Sequence, residues 1–233
     1  MRLSIVIPTL NEGALIAGLL HGLQPLRRLA CELIVVDGGS ADNTCELARP
    51  LADRVLISAP GRAQQMNRGA TAASGDWLWF VHADSGLLCA PSRYLQAIVE
   101  GPSPWGRFDV RLDAEDRIFR LIETLMNLRS CLSGIVTGDQ GMFVRRDLFE
   151  RCRGFADIPL MEDVELSRRL RLQLRPHCVR GLRLGASARR WKRHGVLRTV
   201  LLMWRLRLAY FLGAEPAGLA EVYRQCASPT RES

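Results

Sequence analysis

The sequence predicts an α/β fold in which a central, mostly parallel sheet is flanked by helices and followed by a helical C-terminal segment. Three observations predict it. Short apolar runs alternate with helix-period stretches through the first half of the chain, the pattern of right-handed β-α-β units. Polar and glycine residues gather just after each run, where ligands bind in open α/β sheets. The composition, 48% hydrophobic and 24% charged over 233 residues, is globular and excludes collagen-like, low-complexity and disordered chains.

Taken in order, Leu3 to Ile7 is a β-rich run that ends in the loop Pro8-Thr9-Leu10-Asn11-Glu12, and Ala14 to Leu23 has helical periodicity. Leu33 to Val36 reads as a buried strand opening onto Asp37-Gly38-Gly39-Ser40, with Asp42 or Thr44 placed to cap a helix that ends near Ala48. Val55 to Ile57 is a third strand. Gly61 to Ala73 is a loop and helix, and Trp77 to Val81 is a fourth strand leading into His82-Ala83-Asp84. Beyond the loop Gly101-Pro102-Ser103-Pro104, helices are expected over 116–132 and 163–174, with a short strand at 142–144 and a last helix over 196–212. No internal repeat and no linker divides the chain, so one domain over 1–233 is expected.

Charge is uneven. The net charge is +8, yet residues 164–213 hold 13 cations against Glu165 as their only anion, and Lys192 is the only lysine in the chain. Such a block suggests an anionic partner: nucleic acid, a phospholipid surface or a phosphate-bearing small molecule. It equally describes a solvated basic face. The stretch Val196 to Gly213 is interrupted by Arg198, Arg205 and Arg207, too costly for a spanning helix. A packed helix with arginine heads in water is expected, with contact at a membrane surface second. Arg207 points roughly opposite to Arg198 and Arg205 at about 100° per residue. Seven cysteines without a CxxC pair form neither a disulfide framework nor a zinc pattern, so reduced thiols and a cytoplasmic location are expected. The N-terminal apolar run is too short for a signal peptide.

Acidic residues at strand ends carry the chemistry. Asp37 and Asp84 each follow an apolar strand, where a carboxylate can hydrogen-bond a nucleobase or ribose, or hold a divalent cation against phosphates; either can also simply shape its turn. His82 and Asp84 project to the same side if the strand persists, as metal ligands or as hydrogen-bonding groups. Glu162 and Asp163 open a helix, either as an N-terminal cap or as a general base for a hydroxyl.

Taken together, SIVIPTLNE at 4–12, VVDGGSADNT at 35–44, HAD at 82–84 and MEDVELSRRL at 161–170 resemble the ordered motifs of family 2 glycosyltransferases with the GT-A fold. GRAQQMNRGA at 61–70 and GDQGMFVRR at 138–146 are similar to those of a small bacterial subfamily. The resemblance runs from residue 3 to about 213. It implies a nucleotide-binding half over 1–100, an acceptor and catalytic half over 101–195 and a C-terminal helix over 196–213.

It implies that Pro8, Asn11 and Glu12 line the first loop, with Glu12 meeting the ribose or base of a nucleotide-sugar donor. Asp37 would hydrogen-bond a uracil-type base over Gly38 and Gly39. Arg62, Asn67 and Gly69 would run along the diphosphate. Asp84 matches the second aspartate of the DxD metal motif, for Mn²⁺ or Mg²⁺, but His82 stands where the family has the first. Asp163 matches the acceptor-deprotonating aspartate of an inverting mechanism, supported by Glu162. Asp139 is its rival or an acceptor-binding group, or a carboxylate that orders its loop. His194 is a further metal candidate. Arg189-Arg190-Trp191 is similar to the family's Q-x-x-R-W element but lacks the glutamine, which argues against processive synthesis.

The segments near 101–116 and 134–141 are expected to carry the choice of sugar and acceptor, the acceptor being phosphorylated or lipid-linked. Two further readings are a nucleotidyltransferase of similar fold, which should carry a glycine-rich basic loop after the first strand, and a non-enzymatic binder of anionic surfaces. The chain has Pro-Thr-Leu-Asn-Glu at that loop and shows no nucleic-acid recognition signature beside its charges. Nucleic acid is the least favoured partner.

Overall fold

Two runs of the sequence are apolar at nearly every position, and each becomes a strand covered on both faces. β1 (Leu3–Thr9) is buried throughout. Its Ile5 and Ile7 join Leu33 and Val35 of β2 (Glu32–Asp37) and Leu20 and Leu23 of α1 (Gly13–Arg27) on one face. Val6, Ile34 and Val36 meet Ala63 and Met66 of α3 (Arg62–Ala72) on the other. Successive strand residues point to opposite faces, so a continuous apolar run is what a doubly covered sheet requires. β4 (Trp77–Phe80) repeats this, with Trp77 and Trp79 in the first core and Leu78 and Phe80 in the second.

In this computed structural model the described residues are 2–227, Arg190 by its backbone alone. Between the strands named above lie α2 (Thr44–Ala48) and β3 (Arg54–Ile57). After β4 come β5 (Gly86–Leu87), α4 (Pro91–Val99), β6 (Trp105–Leu112), α5 (Arg117–Ser133), β7 (Phe143–Arg145) and α6 (Arg146–Arg151). The chain continues through α7 (Glu162–Gln173), β8 (His177–Ala186), α8 (Arg189–His194), α9 (Val196–Phe211) and α10 (Pro216–Ala227). Among the described residues the strands form one eight-stranded sheet in the order β3-β2-β1-β4-β7-β6-β8-β5. β1 pairs in parallel with β2 and β4, and β2 with β3. β7 runs antiparallel to both β4 and β6, and β6 pairs in parallel with β8.

The structure corrects the sequence reading in three places. Residues 105–112, expected within a loop, form β6, and the arginine-rich block contains β8. In β6 the apolar positions Phe108, Val110 and Leu112 alternate with charges, and the buried Arg107 pairs with Asp109. Second, Cys131 on α5 and Cys178 on β8 form a disulfide, their Cα atoms 5.8 Å apart; the expectation of reduced thiols fails for this pair. Third, the arginine block is not one basic face but is divided among α7, β8, α8 and α9. Arg169 donates to the carbonyls of Gly154 (2.8 Å) and Cys152 and pairs with Glu165. Arg171 donates to the carbonyl of Ser133 at 2.9 Å. A guanidinium with five donors ties loop carbonyls in a way a lysine does not.

α9 is anchored by Leu206, which packs on Ile135, Met161, Val164 and Leu219. It therefore runs beside the start of α7. Among the described residues no helix is long and apolar enough to cross a membrane.

Candidate active site

The strand ends and the start of α7 open onto one cavity of about 770 Å³. Its polar end is lined by Glu12, Arg62, His82, Asp84, Asp139 and Asp163, with Glu162 and Arg189 beside them. Its other end is apolar and lies between α5 and α9.

The first loop is knitted to the second. Asn11, in the left-handed region at φ 55°, accepts from the Ala41 N–H (2.8 Å), and its own N–H donates to Ser40 Oγ (2.8 Å). Thr44 Oγ1 accepts from the Glu12 N–H and Asp42 from the Gly13 N–H. These bonds hold Glu12 at the cavity, where Arg189 Nη2 lies 3.8 Å from its carboxylate. Burial raises the Glu12 pKa, with the charge of Asp84 adding to it. Pro8 is buried in β1, in register with Val36.

Asp37 is bound within its own turn. Its oxygens accept from the Gly39 N–H (2.9 Å), the Ser40 N–H (2.7 Å), Ser40 Oγ (2.5 Å) and Thr9 Oγ1 (3.3 Å). Four donors fill the acceptor sites of one carboxylate. Burial would raise its pKa, but the hydrogen bonds from Ser40 and Gly39 outweigh that and hold it low. Asp37 thus shapes the turn, in which Gly39 takes φ 91°. Beneath this turn Gln65, which the sequence reading missed, donates to the carbonyls of Thr9 (2.7 Å) and Val36 (2.8 Å) and packs under Gly38.

On α3 only Arg62 of the three expected phosphate-side residues reaches the cavity. Asn67 is occupied at both ends of its amide by the backbone of Phe155, at 2.8 and 2.9 Å. Gly69 is a packing residue, since a Cβ there would fall 2.3 Å from Val6 Cγ1. Arg62 stands among the acids: its charge acts on Glu12, His82, Asp84 and Glu162.

His82 lies against Gly138, where an added Cβ would sit 2.4 Å from its ring. Burial, reinforced by Arg62, pushes its pKa down to about 3, so the imidazole is neutral. Asp84 is raised by burial and by Asp139, against the pull of Arg62 and Arg189.

α7 begins at a strained point. Met161 has φ 71°, a conformation that costs a non-glycine residue energy and clusters at functional sites. Its side chain is locked in the α9–α10 core, which fixes the direction in which Glu162 and Asp163 leave the turn. Asp163 Oδ2 accepts from the Gly138 N–H at 2.8 Å, joining α7 to the turn that carries Asp139. Burial raises Asp163, while the Gly138 bond and Arg207 oppose the rise. Glu162, 6% exposed, is pushed up to about 7 by burial and by the adjacent Asp163. Arg129 of α5 and Arg207 of α9, both unassigned by the sequence reading, line the cavity as well. Arg207 was the one arginine of its helix set opposite the others, the only signal that pointed inward. His194 ends α8 and is not among the described residues lining the cavity.

Comparison with known proteins bears on the fold and the family. Among curated proteins, the PGL/p-HBAD biosynthesis glycosyltransferase of Mycobacterium bovis is 39% identical over 94 residues, which are 36% of this chain and 36% of that protein. The chain thus spans about a third of the length of the curated relatives it matches. A mannosyltransferase from Pyrobaculum calidifontis, solved with GDP-Man and Mn²⁺, superposes with a TM-score of 0.65 at 19% identity, covering 89% of this chain and 61% of that one. Glucosyl-3-phosphoglycerate synthase from Mycobacterium tuberculosis, solved with Mn²⁺, UDP and glucosyl-3-phosphoglycerate, gives 0.57 at 23% identity over 79% and 70%. These likenesses carry the fold, which is GT-A. The family model for Glycosyl transferase family 2 matches residues 4–151, more than half of the sequence, and the chain belongs to that family.

Proposed function

We propose that the chain transfers a sugar from a nucleoside diphosphate sugar, UDP-linked in the first instance, to an acceptor hydroxyl with inversion. The observation that carries this reading is Asp163, oriented by the Gly138 N–H on the same cavity as Arg62 and Asp84. The acceptor oxygen bonds to the anomeric carbon as the bond from that carbon to the diphosphate breaks. The hydroxyl proton passes to Asp163, and the nucleoside diphosphate leaves. A buried carboxylate with a raised pKa is a stronger base than an exposed one. Arg62 and Arg189 face the charge that develops on the diphosphate. Glu12 is the candidate for the donor's ribose.

The donor set fits a divalent cation. Among the described residues no three His, Cys, Asp or Glu side chains are grouped to hold a metal, so the protein offers no complete cage. One carboxylate completed by substrate phosphates is how Mg²⁺ and Mn²⁺ are commonly held in such sites. Asp84, whose pKa burial and Asp139 keep high, would hold the ion. His82 offers a neutral imidazole beside it. Bound there, the ion supplies neutralisation of the leaving diphosphate.

The test uses a panel of UDP and GDP sugars with Mn²⁺ or Mg²⁺, following transfer or hydrolysis and the anomeric configuration of the product. Asp163→Asn is expected to lower kcat by 10³-fold or more, on the order of a lost general base and its charge, with donor KM nearly unchanged. Asp84→Ala is expected to weaken metal-dependent nucleotide binding instead. Full turnover in Asp163→Asn with loss in Asp139→Asn would transfer the base to Asp139, and a retained anomer would overturn the inverting step.

A further inference from the structure

The catalytic cavity does not close behind Asp163. It continues between α5 and α9 into an apolar channel walled by Leu125, Leu128 and Leu132 on one side and by Val200, Met203 and Trp204 on the other. Besides the apolar residues that each packs inward, both helices carry a second apolar row outward. On α9, Leu197, Leu201, Trp204 and Leu208 recur at helical spacing, and Leu201 and Trp204 are each 68% exposed. On α5, Leu121, Leu125, Leu128 and Leu132 form a matching exposed row. A surface helix of a globular protein turns its apolar stripe inward, and a contiguous exposed patch of this kind marks a binding surface.

Two cations stand where the channel meets the polar end. Arg129 and Arg207 line the cavity and act on the charge of Asp163, yet among the described residues neither forms an ion pair with an acid. Arg129 Nη2 is buried with no hydrogen-bond partner, and its Nη1 reaches only the Ile135 carbonyl at 3.4 Å. A buried guanidinium nitrogen left unpartnered is costly, and planar guanidinium donors match phosphate geometry. Arg198 and Arg205 are exposed on α9, where they can meet an anionic surface.

We propose that the acceptor is a hydroxyl-bearing phospholipid, its hydrocarbon chain lying between α5 and α9 and its phosphate held by Arg129 and Arg207 beside Asp163. This rests on the transferase reading above. The headgroup hydroxyl supplies the attacking oxygen and gives its proton to Asp163; the phosphate neither reacts nor leaves. The channel's continuity with the site, the cations at its junction and the exposed apolar rows flanking it select a lipid over a free sugar phosphate.

Three probes test it with the full chain. The first is co-sedimentation with phosphatidylcholine vesicles, with and without phosphatidylglycerol. The second is sugar transfer, with the same donor panel, to phosphatidylglycerol in vesicles or to glycerol phosphate in solution. The third is nucleotide affinity by titration. The chain is expected to bind the anionic vesicles and to modify the vesicle lipid at least tenfold faster than glycerol phosphate. Leu201→Ser with Trp204→Ser, both exposed substitutions, should reduce vesicle binding at least tenfold, and Arg207→Gln should lower transfer to phosphatidylglycerol at least tenfold while leaving nucleotide affinity unchanged. Equal transfer to glycerol phosphate, vesicle binding indifferent to the α9 substitutions, or a concentration-dependent dimer abolished by those substitutions would each overturn the lipid acceptor while leaving the transferase intact. Loss of nucleotide binding in the unmodified chain would overturn the transferase reading itself.

Discussion

At the scale of the residue, the pair Glu162 and Asp163 sets the pH response. Burial and Asp163 raise the Glu162 pKa to about 7, and the groups facing the pair are Arg62, Arg129, Asp139 and Arg207. The base works ionised and burial raises it, so the rate should fall as pH drops while still above the ordinary carboxylate range. Such values belong to the pair rather than to either residue. Glu162→Gln removes one titrating group, and the acidic limb of kcat/KM should move to lower pH; an unmoved limb would separate Glu162 from it. The same shift predicts stability. The folded state holds the Glu162 proton up to about 7 and the unfolded chain only to its ordinary value of 4.5, so stability is lost as pH rises through that window. At 1.36 kcal/mol per unit the full difference is about 3 kcal/mol. Denaturant titrations at pH 5 and pH 8 should therefore show Glu162→Gln more stable than the parent at the higher pH and close to it at the lower.

At the scale of the element, α3 and the strands it covers explain why one motif was read for too much. GRAQQMNRGA carries one cavity residue, Arg62, while three of the others hold the fold: Asn67 clasps Phe155, Gln65 supports the ends of β1 and β2, and Gly69 lets the helix approach Val6. Gly69→Ala would put its Cβ 2.3 Å from Val6 Cγ1 and 3.0 Å from Val36 Cγ2. Such overpacking costs roughly 1–3 kcal/mol. The expected outcome is a lower denaturation midpoint with donor KM little changed. A selective loss of donor affinity would return Gly69 to the phosphate side.

The elements that were legible are those whose period is clean, above all β1, β2 and β4. β6 and β8 were not, because charges alternate with their apolar positions and the buried Arg107 reads as surface in the sequence. Asp84 and Asp163 were legible as strand-end and helix-start carboxylates. Arg129 and the apolar channel were not, and Arg207 showed only in its helical phase, because they depend on α5 and α9 lining one cavity.

At the scale of the whole molecule, the cavity is where two parts of the sheet meet. Glu12, Arg62 and Asp84 come from the region of β1 to β4, and Asp139, Asp163 and Arg189 from the region after β6. The antiparallel β7 stitches these regions together between β4 and β6. Their charges act across the junction: Arg62 attracts Glu162 and Arg189 attracts Glu12, while Asp139 repels Asp84. A ligand that adds negative phosphates and a cation at this junction binds both regions in the folded state and neither in the unfolded chain. By linkage, ligand at a hundred times its Kd stabilises the fold by about 2.7 kcal/mol. UDP with Mn²⁺ is therefore expected to raise the midpoint of thermal unfolding in one cooperative transition, UDP alone less, and Mn²⁺ alone little. Asp84→Ala should remove the gain that requires both ligands while leaving the smaller effect of UDP. A UDP and Mn²⁺ shift undiminished in Asp84→Ala would move the cation to another group. A shift in only part of the unfolding curve would mean that the nucleotide is held by the β1 to β4 region without the carboxylates that face it.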